Sequence, residues 1–83
     1  METLLVEVYL PAAGKNFELR LPKALNSLVA AHLAAEALSE LSGGTYLPSH
    51  SSLFARRDSG RLLDMNRSLE QNDVCNGSQL LLL

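Results

Sequence analysis

The sequence predicts an α+β fold in which one helix packs across one face of a mixed sheet of four or five strands. Within residues 3–10 and 17–21 one face carries an apolar side chain at every second position, as half-buried strands do. Residues 27–42 repeat apolar side chains at intervals of three and four, as an amphipathic helix does. The chain then ends on four consecutive leucines, Leu80–Leu83. Leaving them in water would forgo about 1.5–3 kcal/mol each, so this run predicts a strand inside the sheet.

Length and composition predict one domain, residues 1–83. The chain has 83 residues, of which 47% are hydrophobic and 19% charged, and it is too short for two cores. A chain of this size buries only about two-thirds of its unfolded surface, which leaves little stability for a deep catalytic cleft. We therefore expect its function to reside on the surface.

Charge and cysteine content limit the expected partners and the cellular compartment of the protein. The formal net charge is −2 and the basic residues are dispersed, so neither nucleic acid nor an anionic membrane is an expected partner. Cys75 is the single cysteine, so no intramolecular disulfide can form. Glu2 and Glu7 do not fit a signal peptide, and no apolar run approaches the roughly 20 residues of a membrane span. We expect a cytoplasmic protein that does not insert into the membrane.

The first two strands are predicted to form a hairpin. In the first, one face carries Leu4, Val6, Val8 and Leu10. Residues 11–16 supply Pro, Gly and Asn for a reversing loop, and Phe17, Leu19 and Leu21 alternate with charged residues in the second strand. Pro22 ends that strand because it lacks a backbone N–H.

A helix is predicted from about Ser27 to about Ser42, with Asn26 or Ser27 as its N-cap and Gly43-Gly44 at its end. The stripe expected to face the sheet consists of Leu25, Leu28, Val29, His32, Leu33, Ala37 and Leu41. The other side carries Ala30, Ala31, Ala34 and Ala35. These alanines either simply favour the helix or form a second contact surface, for another protein or for another copy in a homodimer.

Shorter elements follow. Residues 46–52 read as a loop, Leu53–Arg56 as a short strand, 57–60 as a turn and 61–63 as a return strand. Residues 68–72 predict one helical turn, capped by Ser68 and with Leu69 inside. Asn76-Gly77 is expected to supply positive φ angles before the final strand.

The segments Leu53–Leu62 and Ser68–Leu82 resemble the third strand and the last turn and strand of the ubiquitin-like β-grasp superfamily. Within it, the ending Val74-Cys75-Asn76-Gly77-Ser78-Gln79-Leu80 is similar to the bacterial YukD/EsaB-type proteins of type VII (WXG100/Esx) secretion systems and to the ubiquitin-like domain of EccD-type components. The resemblance implies that the last strand pairs parallel to the first. It also implies an accessory or regulatory role in secretion.

The sequence ends on Leu83 without the Gly-Gly tail through which ubiquitin and the sulfur carriers act. Conjugation and sulfur transfer are therefore not expected. The alternative is a carrier or modifier related to the sulfur carriers whose tail is absent, and a β-grasp RNA-binding domain is a further alternative that the acidic balance disfavours.

Alternation suggests a binding surface. If Leu53, Ala55, Leu80 and Leu82 face the helix, then Phe54, Arg56, Leu81 and Leu83 face outward. By resemblance, Phe54, Leu81 and Leu83 fall on the positions of ubiquitin's hydrophobic recognition patch. The alternative is that a loop covers Leu81 and Leu83. Arg56, together with Arg57, Arg61 and Arg67, is either part of a solvated face or steers an acidic partner.

No motif for catalysis or cofactor binding is present. His32 and His50 have no partner at metal-ligand spacing, and Cys75 has no neighbouring base or cation in the sequence. Phosphate loops, catalytic triads and paired carboxylates are also missing from the sequence. The sequence therefore predicts a non-enzymatic protein-interaction module with no cofactor, metal or small-molecule substrate.

Overall fold

The computed structural model describes residues 2–41 and 52–83, which form four strands, one α-helix and a 3₁₀ turn. The elements are β1 (Thr3–Leu10), β2 (Lys15–Pro22), α1 (Ser27–Leu41), β3 (Phe54–Arg56), the 3₁₀ turn (Glu70–Asn72) and β4 (Gln79–Leu82). The predicted return strand at 61–63 is reduced to a bridge between Ala55 and Leu62. Gly43-Gly44, His50 and the predicted loop at residues 46–52 lie outside the described residues, except for Ser52 at the end of that loop.

The sheet has the strand order β2-β1-β4-β3. β4 pairs parallel with β1 and antiparallel with β3, so it lies in the interior of the sheet. Leu80 and Leu82 of this strand are each 1% exposed and face the helix. The prediction that the terminal leucines form an interior strand is confirmed.

The β1–β2 hairpin follows the predicted alternation. Leu4, Val6, Val8 and Leu10 are all buried against α1, and their β2 partners Leu21, Leu19, Phe17 and Lys15 lie directly opposite. Gly14 closes the loop with a φ of +65°, a conformation that L side chains rarely adopt.

Asn26 caps α1, as predicted. Its Oδ1 accepts hydrogen bonds from the amides of Leu28 at 2.9 Å and Val29 at 3.3 Å. Ser27, the first helical residue, is buried, and its hydroxyl donates to the carbonyl of Asp64 at 2.8 Å. The Ser27 bond ties the start of the helix to the segment that precedes the 3₁₀ turn.

Of the stripe predicted to face the sheet, Leu25 packs against the core, but the helix itself turns its alanine side to the sheet, which is opposite to the prediction. Ala30, Ala31, Ala34 and Ala35 are at most 1% exposed and pack in the core, so they do not form a free surface. Val29 and Leu33 are each 46% exposed, and Leu41 is 61% exposed. The reason is volume: the strands already direct large side chains at the helix, and small alanines let it approach closely.

The 3₁₀ turn is stabilised by its own side chains. Ser68 Oγ accepts from the amide of Gln71 at 3.1 Å, and Gln71 Oε1 accepts from the amide of Ser68 at 3.0 Å. This reciprocal pair is a capping box. Leu69 is fully buried, so the predicted cap and inward leucine are confirmed.

Asn72 fixes the loop that leads into this turn. Its Oδ1 accepts from the amide of Asp64 at 2.8 Å, and its Nδ2 donates to the carbonyls of Asp64 at 3.0 Å and Ser68 at 2.9 Å. Three backbone groups of residues 64–68 thus depend on a single side chain.

Replacing Asn72 by Ala is expected to lower the free energy of unfolding by about 1–3 kcal/mol, because three backbone groups, of which the Ser68 carbonyl is partly buried, lose their partner. Urea denaturation followed by circular dichroism measures the change. The control is Asn66→Ala, since Asn66 lies exposed in the same loop and its change should stay within about 0.5 kcal/mol. Equal effects of the two variants would show that the Asn72 bonds do not stabilise the loop.

Lys23 connects the start of the chain with the 3₁₀ turn through two ion pairs. Its ammonium group pairs with the carboxylate of Glu2 and lies 3.5 Å from Glu70 Oε1. The hydrogen bond with Glu2 raises the pKa of Lys23 above its ordinary value, and the same bond lowers the pKa of Glu2. Both groups are solvent-exposed at their charged ends, so the pair contributes little to stability.

Candidate protein-binding surface

The face of the sheet opposite α1 carries a row of side chains from three strands. Tyr9 of β1 lies beside Leu81 of β4, and Leu81 lies opposite Ala55 of β3. These residues point away from the helix because their chain neighbours Val8, Leu80 and Phe54 are buried beneath it.

A second pair extends this row. The amide of Leu53 donates to the carbonyl of Leu83 at 3.2 Å, and the amide of Leu83 donates to the carbonyl of Leu53 at 2.9 Å. Each residue lies two positions from Ala55 or Leu81, so both side chains point to the same outer face.

We call Tyr9, Leu53, Leu81 and Leu83 the outer patch. Leu83 is 54% exposed and the other three are half-buried. Ala55, which lies opposite Leu81, is fully buried beneath them. The expectation that Leu81 and Leu83 face away from the helix while Leu80 and Leu82 face it is therefore correct. The outer patch presents adjacent apolar side chains on the open face of the sheet, and the 56% exposed Leu62, which lies opposite Ala55, borders it.

The expectation that Phe54 faces outward is wrong. Phe54 is 2% exposed and lies in the core. It pairs with Leu82, and residues directly opposite in an antiparallel ladder share a face, so the burial of Leu82 places Phe54 inward too. In the folded chain Phe54 is not available to contact a partner.

Arg56 lies on the helix side together with Phe54, not with Leu81. It pairs with Leu80 in the ladder, its Nη1 donates to the carbonyl of Asn72 at 3.2 Å, and its Nε lies 4.0 Å from Asp58 Oδ1. These contacts give Arg56 a structural role at the edge of the sheet.

Arg57 is the cation that borders the outer patch, whereas the sequence places it only in an arginine cluster with Arg56, Arg61 and Arg67. Its guanidinium carbon lies 4.7 Å from the centroid of the Tyr9 ring, a cation–π contact. Its Nη1 donates to Asn16 Oδ1 at 2.7 Å and lies 3.7 Å from Glu7 Oε1. Arg57 lies two residues after Ala55 and therefore faces the same side. The sequence could predict that side only if Ala55 were already known to face outward.

The arginines that were expected to form a cluster contact different parts of the molecule. Arg57 lies over Tyr9, Arg56 bonds to Asn72, and Arg67 lies 3.5 Å from Asp64 Oδ2. A shallow depression of about 260 Å³ is lined by Arg56, Asp58 and residues 77–80. Because the guanidinium of Arg56 is already bonded to Asn72, we assign no ligand to this depression.

The Asn-Gly turn before β4 is structural. Gly77 has a φ of +85°, whereas Asn76 is not in the positive-φ region and acts through its side chain, whose Oδ1 accepts from the amide of Leu5 at 2.8 Å. Cys75 is exposed beside it, with its Sγ 3.6 Å from Ser78 Oγ. In residues 2–41 and 52–83, no three His, Cys, Asp or Glu side chains lie close enough together to bind a metal ion.

A β1–β2 hairpin, a helix across the sheet and a last strand parallel to the first define the ubiquitin-like β-grasp fold, and this chain has that fold. Of the described helices, none is long and apolar enough to cross a membrane.

Solved structures agree with this assignment. The ubiquitin-like domain of the Mycobacterium tuberculosis type VII secretion protein EccD1 superposes with a TM-score of 0.76 at 23% identity, over 100% of this chain and 99% of that one. The EccD5 ubiquitin-like domain from Mycobacterium xenopi gives a TM-score of 0.81 at 17% identity, over 100% and 94%. The ubiquitin-like domain of Plasmodium falciparum Dsk2 gives 0.73 at 18% identity, over 98% and 96%.

The fold also occurs within a larger assembly. A chain of the ESX-5 inner membrane complex matches with a TM-score of 0.79 at 19% identity, over 100% of this chain and 21% of that one. No protein-family model and no curated protein sequence matches the chain.

Proposed function

We propose that the chain is a non-enzymatic protein-interaction module that serves as an accessory or regulatory component of a bacterial type VII secretion system. The outer patch is the surface that contacts its partner. The observation that carries this proposal is that Tyr9, Leu81 and the 54% exposed Leu83 lie on the sheet face that α1 leaves open. Adjacent apolar side chains on a small protein commonly mark a contact surface.

The chemistry of the outer patch suggests what the partner supplies. Burial of Leu81 and Leu83 requires an apolar side chain, and the flat ring of Tyr9 gives contact area at low entropic cost. Arg57 borders the patch and is only partly compensated, because its contact with Glu7 is 3.7 Å long and exposed to solvent. A partner segment that places an apolar anchor beside a carboxylate fits both features.

The setting in a secretion system is supported by the fold matches to EccD domains, which extend over nearly the whole of this chain and of those domains. We therefore propose the cytoplasmic regions of secretion-system proteins as partners. A gene position among type VII secretion genes would support this setting, and a host genome without such genes would contradict it.

Leu81→Asp is expected to weaken partner binding by at least about 30-fold, equivalent to a hot spot of 2 kcal/mol, because it places a charge in the centre of the apolar contact. Isothermal titration calorimetry with purified cytoplasmic regions of the host's secretion-system proteins measures the affinity. The unfolding temperature should fall by only a few degrees, because Leu81 is half-buried.

The matched control is Leu33→Asp, which places the same charge at a 46% exposed leucine on α1. Its affinity should equal that of the wild type. If Leu33→Asp abolishes binding and Leu81→Asp does not, the contact surface is the helix and not the outer patch.

A further inference from the structure

Strand β2 leaves one edge of the sheet open. It is the outermost strand on its side, it is eight residues long, and within residues 2–41 and 52–83 nothing pairs with its outer edge. The opposite edge is covered, because the amide of Arg56 donates to the carbonyl of Arg61 and the amide of Leu63 donates to the carbonyl of Phe54. An open edge of this length offers backbone donors and acceptors to another strand.

The groups that point outward can be identified from β1. Leu5 and Glu7 direct their backbone groups to β4, since the amide of Gly77 donates to the carbonyl of Leu5 and the amide of Glu7 donates to the carbonyl of Ser78. Backbone groups alternate between the two sides of a strand, and residues facing each other alternate between bonded and non-bonded pairs. Their β2 partners, Arg20 and Glu18, therefore direct N–H and C=O to the open edge.

Arg20 and Glu18 also carry opposite charges on exposed side chains. If a second copy pairs antiparallel with β2 so that Glu18 lies opposite Arg20 of the second copy, symmetry creates the same pair again on the other side of the axis. In this register Leu19 lies opposite Leu19 of the second copy. The neighbouring register places Glu18 opposite Glu18 and is disfavoured by like charge.

The apolar positions fit the same register. Phe17 comes to lie opposite Leu21 of the second copy, on the face of the sheet that packs against α1. Phe17 and Leu19 are only half-buried in one copy although both pack against the core. Pairing would therefore cover apolar surface as well as satisfy backbone groups and two ion pairs.

We propose that the chain forms a two-fold symmetric dimer through antiparallel β2–β2 pairing, with Glu18 opposite Arg20 of the second copy. The two sheets become one continuous sheet. The outer patch lies on β1 and β4 and on the residues that flank β3 and β4, away from β2, so the dimer leaves it open and presents it twice. This dimer goes beyond the proposed function and is measured without any partner.

Charge exchange tests the register. Arg20→Glu and Glu18→Arg each create two like-charge pairs and are expected to weaken self-association by roughly 10- to 100-fold. An equimolar mixture of these two variants restores both opposite-charge pairs, so it should form a heterodimer as stable as the wild-type dimer. The double variant should restore the homodimer. Sedimentation velocity from micromolar to millimolar concentration measures each state.

Glu18→Pro tests the backbone contact separately. The amide of Glu18 points outward, so proline removes a donor from the edge and none from the β1–β2 ladder. Circular dichroism should show a folded monomer. A wild-type chain that stays monomeric at millimolar concentration overturns the proposal. It is equally overturned by a mixture of the charge variants that does not associate, or by a folded Glu18→Pro variant that dimerises like the wild type.

Discussion

Replacing Ala34 by glutamate is expected to unfold the protein at ambient temperature. Ala34 is 1% exposed and lies on the face of α1 that packs against the sheet. A carboxylate there would be buried without a partner, and the larger side chain would also push the helix from the sheet. Each effect costs several kcal/mol, and a small protein has only about 5–15 kcal/mol of total stability.

The neighbouring residue provides the control. Leu33→Glu adds the same carboxylate at a position that is 46% exposed, so the free energy of unfolding should change by no more than about 0.5 kcal/mol. Circular dichroism and thermal unfolding distinguish the two variants directly. A stable Ala34→Glu variant together with an unfolded Leu33→Glu variant would mean that the leucine stripe, not the alanine face, packs against the sheet.

Phe54→Ala is expected to lower the free energy of unfolding by about 3–5 kcal/mol, the usual cost of removing a core phenylalanine. Phe54 is 2% exposed, and it lies opposite Leu82 on the helix side of the sheet. Truncation leaves a cavity that the neighbouring leucines cannot fill completely. Urea denaturation gives the free energy and shows whether the slope with denaturant is unchanged.

Leu83→Ala serves as the comparison, because Leu83 directly follows the adjacent strand β4 and is 54% exposed. Its stability should remain within about 0.5 kcal/mol of the wild type. If Phe54→Ala is as mild as Leu83→Ala, then Phe54 lies on the solvent side and the register between β3 and β4 is shifted by one residue.

The strands could be predicted from the sequence because their signals are long and consistent. Every second residue of β1 from Leu4 to Leu10 is apolar, and the Asn76-Gly77 turn marks where the last strand begins. Burial alone requires the terminal leucines to enter the sheet, and alternation then separates Leu80 and Leu82 from Leu81 and Leu83.

The helix orientation could not be predicted from periodicity because α1 has apolar residues on both sides. A rule that places the largest apolar side chains inward selects Val29, Leu33 and Leu41, yet the space between helix and sheet is already filled from the strands. Packing volume depends on both partners, and one of them is distant in sequence. The alanines Ala31 and Ala34 fit where leucines would not.

The face of β3 was misassigned because three residues do not define an alternation. Leu53-Phe54-Ala55 is apolar throughout, and only the pairing of Phe54 with Leu82 decides which side chain faces inward. For the same reason the position of Arg57 beside the outer patch could not be predicted, since its contact with Tyr9 joins residues distant in sequence. The bonds of Asn72 to residues 64–68 likewise follow from a loop conformation that local sequence does not specify.

The most direct test of the proposed binding surface is an NMR titration of the ¹⁵N-labelled protein with the proposed partners, purified cytoplasmic regions of type VII secretion proteins. We expect the largest amide shift changes at Tyr9, Arg57, Leu81 and Leu83, with Val29 and Leu33 on α1 unaffected. No change with any of these proteins, or changes confined to α1, would contradict this expectation.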